Sequence, residues 1–426
     1  MIPRLIISGM LLSAPLPIDG QGSAGLPASP QVPEVRSYQN GYQAVVVHSL
    51  NVDSQATLIM SGLRGDVNLQ GNDNRQIIIE ERITIRTRNQ ARAQEMVERT
   101  IGQLSPPSAS GKAYVFDSGE WSDPTVSYSY DVQVPVIFNV IVNSYGGDIE
   151  LYNLQGDLEA RTGGGDINVS TTAGRIQMNT GGGDIDADRV QGQVDLTTGG
   201  GDIDIRSAEG RISAATGGGD IDFFSGTGNF VLNTGGGDID LQELEGTEIE
   251  ARTGGGDIDV ADITAQVNLM TGGGDITGEN VAGSIEAATS GGDIDMKIIN
   301  GDAILFTAAG DIDIQRITGA IRANTGSGDI DVTDMRLETP DREESTFTTA
   351  SGDVEVYFYS DEPIDVSARI LGYPLRLAKD RINSNLDLTY QSINGNTMAT
   401  YTTEQPFHII IIETTNGEIR IMKGEQ

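Results

Sequence analysis

The chain of 426 residues contains no cysteine and few aromatic residues, with 9 Phe, 12 Tyr and 1 Trp. The lack of cysteine excludes disulfides, thiolate metal sites, cysteine nucleophiles and the lipid-carrying cysteine of a bacterial lipoprotein. The scarcity of aromatic side chains predicts a narrow, aliphatic core. Because no run reaches the roughly 18 apolar residues that a membrane helix needs, we expect no integral membrane segment in the mature chain.

Positive charge is also scarce, since 27 Lys and Arg face 62 Asp and Glu, which gives a formal net charge of −35. A nucleic-acid backbone or an anionic membrane surface would be repelled at long range, so nucleic acid is not an expected partner. Cations and basic surfaces remain as electrostatic partners. The two histidines, His48 and His408, lie in strand-like segments, and we interpret them as strand residues rather than metal ligands.

Glycine is abundant, with 55 residues, and it marks a repeat that runs from Gly146 to Val356. Each repeat has a threonine, a short run of glycines and Asp-Ile-Asp-Val or a close variant, and it returns every 18 residues with one step of 19. This period tolerates almost no insertion and predicts a stacked parallel β-solenoid whose rungs have two short strands and two turns. The first aspartates of the repeats, here called the lead aspartates, are Asp148, Asp166, Asp184, Asp202, Asp220, Asp238, Asp257, Asp275, Asp293, Asp311 and Asp329, with an outlying twelfth, Asp353.

The alternation of residues within a repeat predicts which side chains point inward. The isoleucine after each lead aspartate, such as Ile167, and the threonine four positions before it, such as Thr162, have the inward parity. Stacked threonines can pass hydroxyl hydrogen bonds up their column while buried. The glycines between them permit a backbone reversal that a Cβ would penalise. The threonine column also suggests ice binding, but its expected burial argues against that function.

The segments on either side of the repeat differ from it in composition. One positive charge, a short apolar run and small residues predict an export signal, so that the mature protein would be periplasmic, at the cell surface or secreted. The N-terminal region has alternating stretches typical of strands, one predicted helix and a strand expected over 132–142. Asn416–Ile421 resembles one last rung. The expected divisions are a signal peptide at 1–24, a linker at 25–36, a β-rich N-terminal cap at 37–145 with a helix at 90–104, solenoid repeats at 146–356 and a C-terminal cap at 357–426.

The repeated acids allow two interpretations. An aspartate after a glycine corner can accept hydrogen bonds from backbone N–H groups of the turn, which would be a structural role. Alternatively, the doubled ladder could coordinate Ca²⁺, a hard cation that takes carboxylate oxygens. The spacing differs from that of calcium-binding nonapeptide β-rolls, so only weak cation binding is left open. The candidate ligands are Asp184, Asp186, Asp202, Asp204, Asp220, Asp222, Asp238 and Asp240.

No rung is singled out by a distinctive neighbour, although paired carboxylates abound. We therefore predict that the protein is not an enzyme, and we assign no catalytic or cofactor-binding residue. The alternative is a polysaccharide-acting β-helix enzyme, either a lyase or a glycosidase. The cell-attachment tripeptide Arg64-Gly65-Asp66 is interpreted as part of a degenerate strand, and Phe224, Ile304 and Phe306 are predicted to point outward as a contact patch.

Taken together, these motifs resemble one known family. The early Gly-Asp-Val-Asn-Leu strand, the serial Thr-Gly-Gly-Gly-Asp-Ile-Asp-Val rungs and the closing Asn-Gly-Glu-Ile-Arg-Ile strand are similar to the bacterial β-strand-repeat family labelled "putative adhesin", a domain of unknown function. The resemblance covers roughly residues 40–424. It implies a secreted or envelope-associated right-handed β-solenoid and supplies no catalytic residues. We expect a non-catalytic adhesin or envelope scaffold that presents repetitive acidic faces to a surface polymer or protein.

Overall fold

The computed structural model describes residues 33–52, 56–101, 108–110, 113–118, 123–337, 343–360 and 362–424. The expected export signal, and the linker as far as residue 32, lie outside these ranges. Within them the regular structure is almost entirely β-strand, and the strands form one unclosed sheet in which most neighbours are parallel. The predicted all-β solenoid class is confirmed. Neither helix in the described ranges has the length and apolar character needed to span a membrane.

The described part of the N-terminal region contains nine strands and one helix. The side chain of Asn89 accepts a hydrogen bond from the backbone N–H of Arg92 and so caps the helix, as the sequence suggested. The expected helix residues 102–104 lie outside the described ranges. The elements are β1 Arg36–Tyr38, β2 Gly41–Asn51, β3 Thr57–Leu63, β4 Gly65–Asn72, β5 Gln76–Ile85, α1 Gln90–Ile101, β6 Ser108–Ser110, β7 Ala113–Asp117, β8 Val126–Pro135 and β9 Asn139–Ser144.

The repeats form a parallel stack in which each rung lies one period from the next. Ile149 pairs with Ile167, Ile167 with Ile185, and the offset of 18 residues continues up the stack. Its strands are β10 Ile149–Thr162, β11 Ile167–Thr180, β12 Ile185–Thr198, β13 Ile203–Thr216, β14 Ile221–Thr234, β15 Ile239–Thr253, β16 Ile258–Thr271, β17 Ile276–Ala282, β18 Ile285–Thr289, β19 Ile294–Asn300, β20 Ala303–Thr307, β21 Ile312–Ile317, β22 Ile321–Ser327, β23 Ile330–Arg336, β24 Glu343–Ser351 and β25 Val354–Tyr359.

The rungs from β10 to β16 differ from the expected pair of separate strands. Each is one continuous strand that bends at a non-glycine residue with a left-handed φ of 52–62°. The strand pairing omits this residue and resumes at the next one, as at Asn153 in β10, and an equivalent residue occurs in β17. Two separate strands per rung occur in the described ranges only from β17 onward. The left-handed residues are Asn153, Thr171, Arg189, Ser207, Ser225, Glu243, Asp262 and Asn280.

The bend adds an inward column that the sequence analysis missed. Its first members directly follow the left-handed residues, and strand pairing continues the column through Ile299, Ile317 and Met335. In β14 the position is Gly226, where a Cβ would meet the ring of Phe223. The members differ in size and polarity, which hides the column in the sequence. They are Leu154, Thr172, Val190, Ala208, Leu244, Ile263, Val281, Ile299, Ile317 and Met335, all of which are buried.

One continuous aliphatic core runs through the stack. Ile167, Ile203 and Ile239 are fully buried, as are their equivalents in the other rungs, and aromatic core residues such as Phe223 are few. The one step of 19 residues is absorbed at the glycine corner, where the pairing shifts between Glu245 and Glu248. The bulge lets one extra residue leave the ladder, so the buried columns above and below it stay aligned.

At the N-terminal end, two segments of the chain interleave below the first rung. The two halves of β10 pair with β4 and with β9, and the next strands out are β8 beside β4 and β3 beside β9. The single strand expected over 132–142 was wrong, because the chain leaves β8 at Pro135 and begins β9 at Asn139. Antiparallel strands β5, β2 and β1 then cover this end.

At the C-terminal end, the order of the strands in space differs from their order in the sequence. Its elements are β26 Ile364–Ile370, α2 Leu375–Ala378, a 3₁₀ turn at Lys379–Arg381, β27 Ile382–Ser384, β28 Thr389–Ile393, β29 Asn396–Tyr401, β30 His408–Thr414 and β31 Ile419–Lys423. Strand β30 lies between β24 and β26, and β31 lies between β25 and β27. The segment at Asn416–Ile421 does have the form of a rung, but it is the second to last in space rather than the last.

Two neighbouring glycines of one turn are expected to differ in their tolerance of substitution. A Cβ on Gly219 would overlap the carbonyl oxygen of Gly201, whereas a Cβ on Gly218 would meet nothing within 4 Å. We expect Gly219→Ala to reduce the free energy of unfolding by about 1–3 kcal/mol through overpacking against backbone. Gly218→Ala should have little effect. Urea denaturation of both variants tests this, and equal midpoints would contradict the stacking geometry.

Candidate functional site

The candidate site is the face of the stack that carries the second acid of each repeat, two positions after the lead aspartate. We call this surface the acidic face. Because successive rungs are in parallel register, these acids form a straight column with neighbours about 4.8 Å apart along the stack. Asp186 pairs with Asp204, and Asp204 with Asp222. The column consists of Glu150, Asn168, Asp186, Asp204, Asp222, Asp240, Asp259, Thr277, Asp295, Asp313, Asp331 and Glu355.

The lead aspartates have a structural role beside this column. The carbonyl oxygen of each lead aspartate accepts the N–H of the apolar residue one rung below, as Asp166 does from Ile149. Its own backbone N–H donates to the carboxylate of the lead aspartate below, as from Asp184 to Asp166 at 2.9 Å. These side-chain bonds form an unbroken ladder that starts at the carboxylate of Asp66 and ends at the N–H of Glu418.

The threonine column is buried as expected, but its hydrogen bonds differ from the prediction. The hydroxyl of Thr198 donates to the carbonyl of Gly183, in the turn below, at 2.7 Å. The same hydroxyl accepts from the N–H of Gly201, in its own turn, at 3.2 Å. Threonine-to-threonine bonds are therefore replaced by bonds to glycine backbone, because the turn presents both a carbonyl and an N–H group to each hydroxyl. Each threonine joins two successive turns.

The carboxylates of the acidic column are partly buried and repel one another. Burial and, after it, the negative charges of Asp295 and Asp331 raise the pKa of Asp313 to about 6. Burial and neighbouring carboxylates also raise the pKa values of further acids in the column. Because the same cause acts at many rungs, the shift belongs to the stacked arrangement rather than to one special residue. These further acids are Asp186, Asp222, Asp240, Asp295 and Asp331.

The candidate cation ligands occupy two columns of this face. Asp184, Asp202, Asp220 and Asp238 are lead aspartates whose Oδ1 atoms accept backbone N–H groups. Asp186, Asp204, Asp222 and Asp240 belong to the acidic column. In the described part of the chain, no group of three or more His, Cys, Asp or Glu residues is arranged to hold a metal ion. Calcium binding by these acids therefore stays a prediction.

Apolar side chains interrupt the polar surface at two places. Phe224 is 46% exposed and lines a shallow groove with Asp222, Asp240 and Asp259 on the acidic face. Ile304 and Phe306 are equally exposed, but they lie on strand β20, which belongs to a different side of the rung. All three residues point outward as predicted. Because they occupy two separate faces, they do not form one contact patch.

The other motifs of the sequence lie at a rung corner or within strands. Asp66 is the first carboxylate of the lead-aspartate ladder, so the Arg64-Gly65-Asp66 tripeptide is part of a rung corner. His48 and His408 are buried strand residues of β2 and β30. Nε2 of His48 lies 3.9 Å from Oε2 of Glu81, which is fully buried in the N-terminal region. This pair could not be predicted from the sequence, because Glu81 occurs in an alternating strand of otherwise ordinary composition.

The family model described as Toastrack DUF4097 matches residues 209–304 and 300–370. This segment of the chain matches the Toastrack family. The Toastrack match confirms the resemblance to a β-strand-repeat domain of unknown function that the sequence motifs indicated. The matched residues contain the rungs from β14 onward and the first strand of the C-terminal closure.

Two solved structures are also similar to this chain. A "putative cell adhesion protein" from Clostridium sporogenes is 8% identical, with 90% of this chain and 99% of that chain covered and a TM-score of 0.16. A "putative adhesin" from Bacteroides fragilis is 14% identical, with 65% of this chain and 96% of that chain covered and a TM-score of 0.26. A comparison with curated proteins finds no match.

Substitution of one lead aspartate tests the ladder of side-chain hydrogen bonds. The carboxylate of Asp220 accepts the N–H of Asp238 at 2.8 Å. Asp220→Ala removes this acceptor and should lower the free energy of unfolding by about 1 kcal/mol in urea denaturation. Asp220→Asn keeps an acceptor oxygen and should remain close to the original chain. Equal losses in both variants would show that charge, rather than hydrogen bonding, is required at this position.

Calcium is tested on the same two variants and the original chain. If the acids bind a structural calcium, EGTA lowers the melting temperature of the original chain and added Ca²⁺ restores it. Asp220→Asn then reduces that response, because an amide is a weaker ligand for a hard cation than a carboxylate. A midpoint that is the same in EGTA and in Ca²⁺ would eliminate structural calcium.

The raised pKa of Asp313 gives stability a defined pH dependence. Its pKa is about 6 in the fold against an ordinary value of 3.8, so the folded state binds more protons between these values. Stability therefore decreases as pH rises through this window, and the melting temperature should be higher at pH 5 than at pH 8. Asp313→Asn should weaken the dependence. Asp195→Asn, on another face, is the control, and an equal change in both variants would contradict this origin.

Proposed function

We propose that the protein is an exported, non-catalytic scaffold whose acidic face binds a basic partner of the cell envelope, either a polymer or a protein. The observation that carries this proposal is the straight column of carboxylates on one face of a regular stack. From Glu150 to Glu355, every position of the column is Asp or Glu except Asn168 and Thr277. Such a column suits a ligand that carries repeated positive charges.

The energetics of the acidic column support a cationic partner. Two carboxylates about 4.8 Å apart repel by about 1 kcal/mol even at the dielectric constant of water. Local cations compensate only part of this charge: Arg206 lies 3.8 Å from Asp204, and Arg420 pairs with Glu355 at the C-terminal end. A partner with positive charges at a similar spacing would relieve the repulsion on binding, so the free protein is poised for such a ligand.

The groove beside Phe224 adds an apolar contact to this electrostatic surface. Phe224 is flanked by Asp222 and Asp240, so one site offers an aromatic ring and two carboxylates. An exposed ring surrounded by carboxylates suits the aliphatic stem and charged head of a lysine or arginine side chain. A basic protein or a polymer with cationic groups therefore fits this surface better than a neutral ligand does.

A polysaccharide-acting enzyme remains the second candidate, because Asp313 has a raised pKa beside other carboxylates. Glycosidases use one protonated and one ionised carboxyl group. The same shift recurs at several rungs, however, and an enzyme would distinguish one pair from the rest. Product release from a panel of polysaccharides, lost in Asp313→Asn, would establish the enzymatic function in place of the scaffold.

Binding to the producing cell's envelope fraction, with polylysine as a defined basic probe, tests the proposal. The full chain should bind both, and binding should weaken as salt rises. The triple variant Asp222→Asn, Asp240→Asn and Asp259→Asn should bind about tenfold more weakly, since three ion pairs of about 0.5 kcal/mol each are lost. The matched control Asp195→Asn, Glu250→Gln and Glu286→Gln removes equal charge from another face. Equal losses in both variants, or no binding, would contradict the proposal.

A further inference from the structure

The C-terminal strand pair occupies a slot formed entirely by earlier parts of the chain. We call residues 408–423, which include β30 and β31, the tail segment. Every residue of β30 pairs with β24 on one side and with β26 on the other. Strand β31 likewise has β25 on one side and β27 on the other. The tail segment is therefore an inserted pair of strands with parallel partners on both edges.

The contacts of the tail segment repeat those between ordinary rungs. The N–H of Glu418 donates to the carboxylate of Asp353 at 2.7 Å, and the hydroxyl of Thr414 donates to the carbonyl of Gly352 at 3.0 Å. These contacts depend on the rung motif and not on how the chain arrives at the slot, so the tail segment of another molecule would make the same set. The buried residues of the tail segment are His408, Ile410, Ile412, Thr414, Gly417, Ile419 and Ile421.

The connection into the slot is short and conformationally unfavourable. Residues 402–407 link β29, on one side of β26, to β30 on the other side. Within this hinge, Gln405 has a left-handed φ of 56° and is followed by Pro406, a combination that the proline ring disfavours. Phe407 donates its N–H to the carbonyl of Pro363, and Thr403 donates to Ile364, so the hinge is also held across the start of β26.

From this geometry we propose that the tail segment exchanges between two copies of this chain. In the exchanged dimer, each tail segment fills the slot between β24–β25 and β26–β27 of the other molecule. The contacts in the slot are preserved, while the hinge relaxes because it no longer has to return across its own β26. Short strained hinges favour this kind of exchange, and a reciprocal exchange closes as a two-fold dimer. The proposal does not depend on the acidic face or its partner.

A pair of single-cysteine chains detects the exchange directly, because the protein has no cysteine of its own. Arg369 in β26 is the register partner of Glu413 in β30, and their side chains form an ion pair at 2.7 Å. Chains carrying Arg369→Cys and chains carrying Glu413→Cys cannot form this disulfide within one molecule. Adjacent strands have the Cα separation that a disulfide requires, so a mixed dimer would be cross-linked only across an exchanged slot.

The two full-length single-cysteine chains are mixed, held in urea at the unfolding midpoint, returned to buffer and mildly oxidised. We expect roughly fivefold more covalent dimer than from the control mixture of Arg369→Cys with Arg420→Cys, whose strand partners are elsewhere. The level of dimer in that control mixture measures random cross-linking. Equal amounts of dimer in the two mixtures, after recovery of the folded state by circular dichroism, would overturn the proposal.

Hinge length provides the second measurement, made by size-exclusion chromatography with light scattering on the full chain. Insertion of Gly-Gly-Ser after Gln405 lengthens the connection and should shift the refolded protein toward monomer. Deletion of Glu404 and Gln405 shortens it and should shift the protein toward dimer. A shortened chain that refolds as a monomer, or a lengthened chain with an unchanged dimer fraction, would overturn the role of the hinge.

Discussion

The structure depends on the hydrogen bond from the backbone N–H of each lead aspartate to the carboxylate of the lead aspartate one rung away. This bond forms only when the corners of adjacent rungs lie in the same register, as between Asp184 and Asp166. The threonine hydroxyls bind the same corners through the glycine backbone. Together they hold the glycine turn of each rung, and they require that a Cβ be absent from the last glycine of each turn.

The same register that satisfies the corner produces the electrostatic character of the surface. Lead aspartates use their charge in hydrogen bonds to backbone, whereas the second acids gain no equivalent partner from the stacking. Their carboxylates are brought close to one another by the parallel alignment, and burial together with this crowding raises the pKa of Asp313. One repeated Asp-Ile-Asp motif therefore contributes both a stabilising ladder and a destabilising column. Under the proposed function, an external partner would supply the positive charge that this column lacks.

Much of this architecture could be predicted from the sequence. The period, the inward isoleucines and the buried threonines follow from the spacing of the repeat, because parallel stacking places equivalent residues above one another. The left-handed bend could not be predicted, since Asn153, Thr171 and Arg189 share no side-chain signature. The acceptor of each threonine hydroxyl was also missed, because it depends on where the glycine backbone of the neighbouring turn points. For the candidate site, the sequence predicted a doubled ladder of acids, while only the structure showed that its two columns differ. The lead aspartates accept backbone N–H groups, whereas the second acids are crowded against one another.

The order of strands at the C-terminal end lies beyond what periodicity can predict. The tail segment pairs with strands 65 residues earlier, as Glu413 does with Thr348. The local sequence therefore does not predict which strands become its neighbours. During synthesis from the N-terminus, β26 and β27 leave the ribosome before the strands that separate them from β24 and β25. The end of the solenoid therefore cannot close until the tail segment has also emerged. A nascent molecule in which β24 to β27 have already been synthesised therefore still has a gap one rung wide, and the tail segment completes the stack by filling it.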